Sequence, residues 1–481
     1  MKKYCNPNFI ERTITQNQST ENYSQENWCH SVKQAGSYDT LGSIATNIAD
    51  GFTMVAVGDL LVTRPLTKGQ HPGFGDIVKI LHDADIAFGN LETNIFDIRS
   101  FTGSPQAEYG GAHVISLPEL GPDLKAMGFN IVSRANNHTL DWGVEGMRET
   151  GRLLDQNGIV HSGAGENLAQ AGAARFLETT RGRVASVSFA STFTPLSCAA
   201  DPVGEAPGRP GVNALRLARS ILVPPETLDF LRRLRNALPG FRHRSEDRNQ
   251  VEFAEVTYKN GDRIGYNFEP NPRDVAFILR NVRRGKQFAD FCIVTNHGHE
   301  PGIWSQEPPD YEQSFARRVI DAGADAYIAH GPHRLRGIEI YKARPIFYSL
   351  GNFIMDDLHT PVAADMFAAY GKDPREDTEA EVTVEEMATD FSNPVFYESV
   401  IAVSRFEQNQ LAELRLYPVE LGYSRRFADR GVPQLAPPPH AHVILERLQE
   451  LSKPFGTRIA IADNVGLIRL APASPLGTEA M

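Results

Sequence analysis

Seven side chains at five points of the sequence have the types and placement for metal chemistry: Asp59, Glu92, Asn137 with His138, His297, and His330 with His333. Each point lies where an apolar, strand-like run gives way to a polar loop. Phe52–Val57 leads into Gly58-Asp59, and Ile86–Leu91 into Glu92. Phe129–Ser133 leads into Arg134-Ala-Asn-Asn-His-Thr-Leu-Asp-Trp-Gly143, Phe291–Thr295 into Asn296-His-Gly-His-Glu300, and Ala326–Ala329 into His330-Gly-Pro-His333. In open α/β sheets the carboxyl ends of strands form the edge where ligands bind. Nitrogen and oxygen donors without thiolate suit Mn²⁺, Fe²⁺, Zn²⁺ or a mixed pair. Two such ions polarise a substrate oxygen and generate hydroxide at neutral pH.

Each residue alone also has a plain structural reading. Asp59 fits a turn cap, Glu92 a partner for Arg64 or Arg99, and Asp141 a cap for the following helix. His330-x-x-His333 is a short turn pattern, and an Asn beside a His is common in polar turns. An amide oxygen can nevertheless coordinate a cation, and the neighbouring imidazole can ligate or move a proton. The five junctions converge on one sheet edge, where chance would scatter such groups over both.

The elements that must position these groups follow a strand–helix rhythm. Helical periodicity over 72–83, 117–127 and 144–156 alternates with strand-like runs, continuing at 159–161 and 184–189. This alternation predicts a parallel-rich α/β sheet covered by helices. The rhythm breaks over an insertion at about 196–270, which has a basic helix at 224–238. There, 251–258 and 263–268 alternate about Asn260-Gly261 and predict a β-hairpin. Asn271-Pro272 then opens a helix reaching residue 288, and another covers 311–322. A second hairpin, 338–341 with 345–349, leaves at Leu350-Gly-Asn352. Outside the main domain at 51–355, residues 1–50 read as a polar tail or arm anchored by Tyr23 and Trp28. Residues 356–395 read as an acidic loop. Residues 396–481 read as a small α+β cap, with a hairpin at 399–421, a helix at 442–451 and a strand pair about Asp463-Asn464.

The chain has 481 residues and a formal net charge of −11, so it lacks the basic field that nucleic acid or an anionic membrane would select. No apolar run approaches the ~20 residues of a membrane helix. No secretory signal is read at the basic, then polar, amino terminus, so the cytoplasm is the expected location, with export left open. Cys5, Cys29, Cys198 and Cys292 are scattered and suggest neither a disulfide framework nor a thiolate zinc site.

Several of these segments resemble the CapA family, linked to poly-γ-glutamate capsule synthesis. They are Gly58-Asp59-Leu-Leu, Gly89-Asn-Leu-Glu92, Ala135-Asn-Asn-His-Thr-Leu-Asp-Trp-Gly143, Asn296-His-Gly-His-Glu300 and the long run from Ala329 to Phe353. The resemblance covers about 52–355, and the family in turn resembles the calcineurin-like metallophosphoesterases. It implies a four-layer α/β/β/α sandwich, with the insertion and the C-terminal α+β cap added, and two metals at the loops. By the same resemblance Asp59 is the first metal carboxylate, Glu92 the bridging one, Asn137 a ligand, and His138 the catalytic imidazole. His297, His330 and His333 supply the remaining ligands. Leu61 stands where the phosphoesterases have a histidine, and Ala329 where a glycine is frequent. The implied function is metal-dependent hydrolysis of an amide-linked or anionic polymer, with Arg64 and Arg134 as candidates for substrate carboxylates. Peptide epimerisation, phosphodiester hydrolysis and a non-catalytic role in polymer assembly stand beside it. Oligomeric state is not set by the sequence.

Overall fold

The strand that carries the first carboxylate, Phe52–Val62, is buried at every position except Thr53. A computed structural model describes residues 47–69, 71–106, 113–240, 247–356 and 361–470. Most of the expected tail, with Tyr23 and Trp28, lies outside the described residues.

Phe52–Val62 runs parallel to Ile86–Leu91 on one side. Its other edge is divided between two partners. Glu398–Glu407 runs antiparallel along Phe52–Ala56, and Asn352–Asp356 runs parallel along Asp59–Val62. The hand-over falls at Gly58. A Cβ there would lie 1.8 Å from the Gly351 carbonyl oxygen, so only glycine fits. The same oxygen accepts a hydrogen bond from the Asp59 amide at 3.2 Å.

This is the centre of a ten-stranded sheet. Ile131–Ser133 and Val160–Ser162 continue its parallel side. Gln410–Glu420, Val465–Arg469 and Ala460–Ala462 continue the antiparallel side. A six-stranded sheet has four parallel central strands, Gly182–Ala190, Phe291–His297, Ala326–His330 and Arg344–Phe347. The molecule is a mixed α/β protein with several sheets.

Period-two side-chain alternation sorts the core. Phe52, Met54 and Ala56 share a buried cluster with Ile293, Ile328 and Phe347 of the six-stranded sheet. Their neighbours Val55 and Val57 pack instead with Phe74, Ile77 and Leu81 of helix Phe74–His82, and with Leu120 and Leu124 of helix Leu120–Met127. On the six-stranded sheet, Cys292 and Val294 cluster with Val275, Ile278 and Val282 of helix Pro272–Gln287 and with Phe315 and Val319 of helix Glu312–Asp321. Each such side chain contributes about 1.5–3 kcal/mol on full burial. Helix Pro272–Gln287 starts as expected: the Asn271 side chain accepts from the amides of Arg273 and Asp274, with Pro272 in the first turn.

Three expectations are corrected. The strands of the expected C-terminal cap are part of the ten-stranded sheet, paired directly to Phe52–Ala56. In the insertion, Gln250–Phe253 turns back at Ala254-Glu255, both with positive φ, to pair with Val256–Asn260. Gly265–Pro270 pairs with Leu217–Val223 rather than across the Asn260-Gly261 turn. The acidic stretch contains helices Ala364–Ala369 and Glu379–Thr389, the second begun by a capping box between Thr378 and Glu381.

Strand Val160–Ser162 has an acid-sensitive feature. Burial, then the charges of Arg134 and Arg175, hold the His161 pKa down to about 3. An unfolded chain protonates this ring near pH 6.5, while the native state keeps it neutral. Stability is therefore full above that pH and falls as pH drops from about 6.5 toward 3. Urea midpoints for wild type and His161→Leu at pH 7 and pH 4 should show the wild type losing more on acidification, by a few kcal/mol at ~1.4 kcal/mol per pH unit. Equal losses would exclude His161 as the cause.

Candidate metal centre

Strand register assembles the site. Asp59 lies opposite both Asn90 and Asn352 in the ten-stranded sheet, and His297 opposite His330 in the six-stranded one. Glu92 follows directly on Leu91. The Asn90 side-chain amide donates to Asp59 Oδ1 at 2.9 Å and to Glu92 Oε1 at 3.0 Å, which spaces the two carboxylates. It also lies 3.2 Å from His297 Nδ1. His297 Nδ1 is 3.1 Å from His330 Nδ1, and His330 Nδ1 is 3.7 Å from Asp59 Oδ1. Asp59, His297 and His330 each offer a ligand atom within 4.8 Å of the others, and all three are buried.

His333 joins from the loop after Ala326–His330. Its backbone is left-handed at φ 57°, a strained conformation for so large a residue, and Gly331 before it has φ 111°. This turn lets the Gly331 amide donate to Asp59 Oδ2 at 3.1 Å and brings His333 Nδ1 to 3.7 Å from that oxygen. Asn352 Oδ1, 2.9 Å from His333 Nδ1, orients the ring.

The electrostatics favour a cation. Among the described residues no lysine or arginine pairs with Asp59 or Glu92, both essentially inaccessible to solvent. Burial, then the neighbouring Asp59, pushes the Glu92 carboxyl well above its usual range. Burial and the surrounding imidazoles push His297 and His299 well down. Burial alone outweighs Asp59 at His330, whose pKa falls to about 4. Three buried ligand-type atoms, Glu92 Oε2, Asn137 Oδ1 and His330 Nε2, make no hydrogen bond. A buried acceptor left unpaired costs about 1–3 kcal/mol. Coordination is the use of such atoms that removes this cost, so the donor set fits a bound divalent metal ion.

The Asn-Asn-His segment divides its labour. Asn136 is saturated: its amide donates to Asn90 Oδ1 and the Leu91 carbonyl, and its oxygen accepts from the His138 amide and Thr139 Oγ1. It is a positioning residue, whereas Asn137 keeps a free oxygen. His138 Nδ1 lies 2.7 Å from Asp141 Oδ2, and its Nε2 lies 3.6 Å from Glu92 Oε2. Burial works against a charged His138, but Asp141 outweighs it and the pKa rises. Asp141 therefore serves the imidazole; helix Gly143–Gln156 has no side-chain cap.

The two arginines both have partners within the fold. Arg64 Nε is paired with buried Asp356 at 2.9 Å, and not with Glu92. Arg134 is only 4% exposed and donates to the Met147 carbonyl at 2.8 Å. Sequence reasoning missed His299, whose Nε2 is 3.2 Å from His297 Nε2 and whose ring lies tilted against His333, with centroids 5.5 Å apart. The signal was the His-x-His spacing: residues two apart past a strand end return to the same side of the chain.

The family model described as bacterial capsule synthesis protein PGA_cap matches residues 53–357, a span that includes every candidate metal ligand. The chain belongs to the bacterial capsule synthesis protein family. Among capsule-family relatives, an uncharacterized protein of Sinorhizobium fredii, y4sH, is 65% identical over 460 residues, covering 94% of this chain and all of that protein. The PGA biosynthesis protein CapA of Bacillus subtilis is 27% identical over 310 residues, 62% of each chain. The capsule biosynthesis protein CapA of Bacillus anthracis is 24% identical over 311 residues, 63% of this chain and 60% of that protein. No helix among the described residues of this family member is long and apolar enough to cross a membrane.

Proposed function

We propose that this capsule-family protein is a metal-dependent hydrolase acting on an amide-linked anionic polymer of the poly-γ-glutamate type, built on a four-layer metallophosphoesterase-like sandwich. The observation that carries the reading is the buried Asp59–His297–His330 cluster, whose ligand atoms lie within 4.8 Å of one another, together with the unpaired buried atoms Glu92 Oε2, Asn137 Oδ1 and His330 Nε2. The name of the Bacillus subtilis relative supports the polymer class. Asp59, Glu92, Asn137, His297, His330 and His333, with His299, would hold the metal, proposed as two ions of Mn, Fe or Zn. Bound divalent ions supply Lewis-acid polarisation of the scissile carbonyl and a nucleophile at neutral pH.

The protein's own part is positioning and proton transfer. Asp141 fixes the His138 ring through Nδ1 and leaves Nε2, beside Glu92, to give a proton to the departing amine. Asp141→Asn should therefore lower turnover about 10–100-fold, as loss of supporting hydrogen bonds at such sites does, with metal content unchanged. Elemental analysis beside a γ-glutamyl-polymer cleavage assay with added Mn²⁺ tests the reading. Bound metal with chain shortening supports it. Metal without cleavage on the amide polymer, with cleavage of a chromogenic phosphodiester, would move the substrate class, and no metal under any loading would end the enzymatic reading.

A further inference from the structure

Arg134 leads to a second site. Its guanidinium lines a cavity of about 610 Å³ between helix Gly143–Gln156, strand Val160–Ser162 and the segment 164–173. That volume is ordinary for a small-ligand pocket. None of the metal-site residues lines it.

Four arginines face the cavity: Arg134, Arg148, Arg152 and Arg175. Two are already neutralised, Arg148 by Glu166 and Arg152 by Glu149, each at 2.5 Å. Arg134 and Arg175 form no ion pair among the described residues, and Arg134 is almost wholly buried. His161 also lines the pocket, with both ring nitrogens buried. Its nearest acid is Asp155, at 3.4 Å from Nε2. A buried guanidinium that lines a cavity with one carbonyl partner and no carboxylate of its own gains from an anion that completes it. A guanidinium fork selects planar, bidentate oxygens, and the charged walls disfavour an apolar occupant.

We infer that this cavity is a binding site for a small carboxylate ligand, held by Arg134 and Arg175 and separate from the metal centre. The inference stands on the cavity and does not require the metal site to turn over.

The test is isothermal titration of the full chain, stripped of metal with a chelator and dialysed, using γ-L-glutamyl-L-glutamate as probe and inorganic phosphate in a parallel arm. One dipeptide site per chain is expected, weakened at least tenfold in Arg134→Gln and severalfold in Arg175→Ser. Ala169→Trp, which fills the mouth from an exposed position, should abolish it, and His330→Ala should leave it intact. If Arg134→Gln fails to fold, the Arg175→Ser and Ala169→Trp variants decide. Absence of dipeptide binding, binding of phosphate alone, or loss in His330→Ala with Arg175→Ser unaffected would each overturn the proposal. Polymer cleavage is measured separately, so failure here leaves the hydrolase reading untouched, and the converse holds.

Discussion

The double variant His330→Ala/His333→Ala is expected to lose its metal and its polymer cleavage together. The two rings approach opposite oxygens of Asp59, each at 3.7 Å, so their removal strips one carboxylate of both imidazole neighbours. Supporting residues around metal ligands alone are worth about 10–100-fold in affinity or activity; removing two ligands should exceed that. Elemental analysis should fall from about two ions per chain toward none, and chain shortening should drop below detection. A melting curve on chelated samples separates ligand loss from misfolding, because the variant and metal-free wild type should then melt alike or the variant slightly higher. A double variant that keeps both metal and cleavage would sink the assignment.

Gly58→Ala is expected to be severely destabilising, since no other described glycine would bring an added Cβ so close to a backbone atom. The added carbon would sit 1.8 Å from the Gly351 carbonyl oxygen, a backbone atom already bonded to the Asp59 amide. Neither side has a flexible group that can move aside, so strand Phe52–Val62 must part from Asn352–Asp356 and take Asp59 with it. Changes of this kind reach about 4–5 kcal/mol, a large fraction of a typical total stability. The variant should be recovered mainly insoluble, or melt far below wild type. Gly75→Ala is the control: its Cβ meets nothing within 4 Å in helix Phe74–His82, and it should be neutral or stabilising by about 0.5–1 kcal/mol. Equal melting of the two variants would show that the Gly58 contact is not rigid.

What the sequence disclosed depended on how local each signal was. The strand ends were legible because an apolar run stopping at a polar residue is a local pattern, and parallel register then carries Asp59 and Asn90, or His297 and His330, to the same level. The hairpins about Lys342-Ala343 and Asp463-Asn464 were readable for the same reason. Pairing partners were not. Alternation in 399–421 shows which side chains face inward but not that the strand lies against Phe52–Ala56. The insertion misled because Ala254 and Glu255 adopt the left-handed turn usually given to Asn-Gly, while a true Asn-Gly stands nearby. The helix within the acidic stretch carried its own capping signal, Thr378 to Glu381, which the charge of the segment overshadowed. Within the site, Asn90 was hidden between two expected ligands: an amide that spaces carboxylates has no motif of its own.

The divided edge of the first strand also sets a timetable. Phe52 pairs with Phe406, and Ala56 with Ala402, so the first strand of the described residues to leave the ribosome is completed by one of the last. At roughly 5–20 residues per second, the Phe52–Ala56 edge stays open for tens of seconds during synthesis, although Asp59 already has its own partners in Asn90 and Asn352. The capsule-family match stops at residue 357, yet the folding unit does not. A nascent chain of that length has its full set of expected ligands and the strands that flank Asp59, but an unpaired Phe52–Ala56 edge, which is the state that chaperones guard and proteases find.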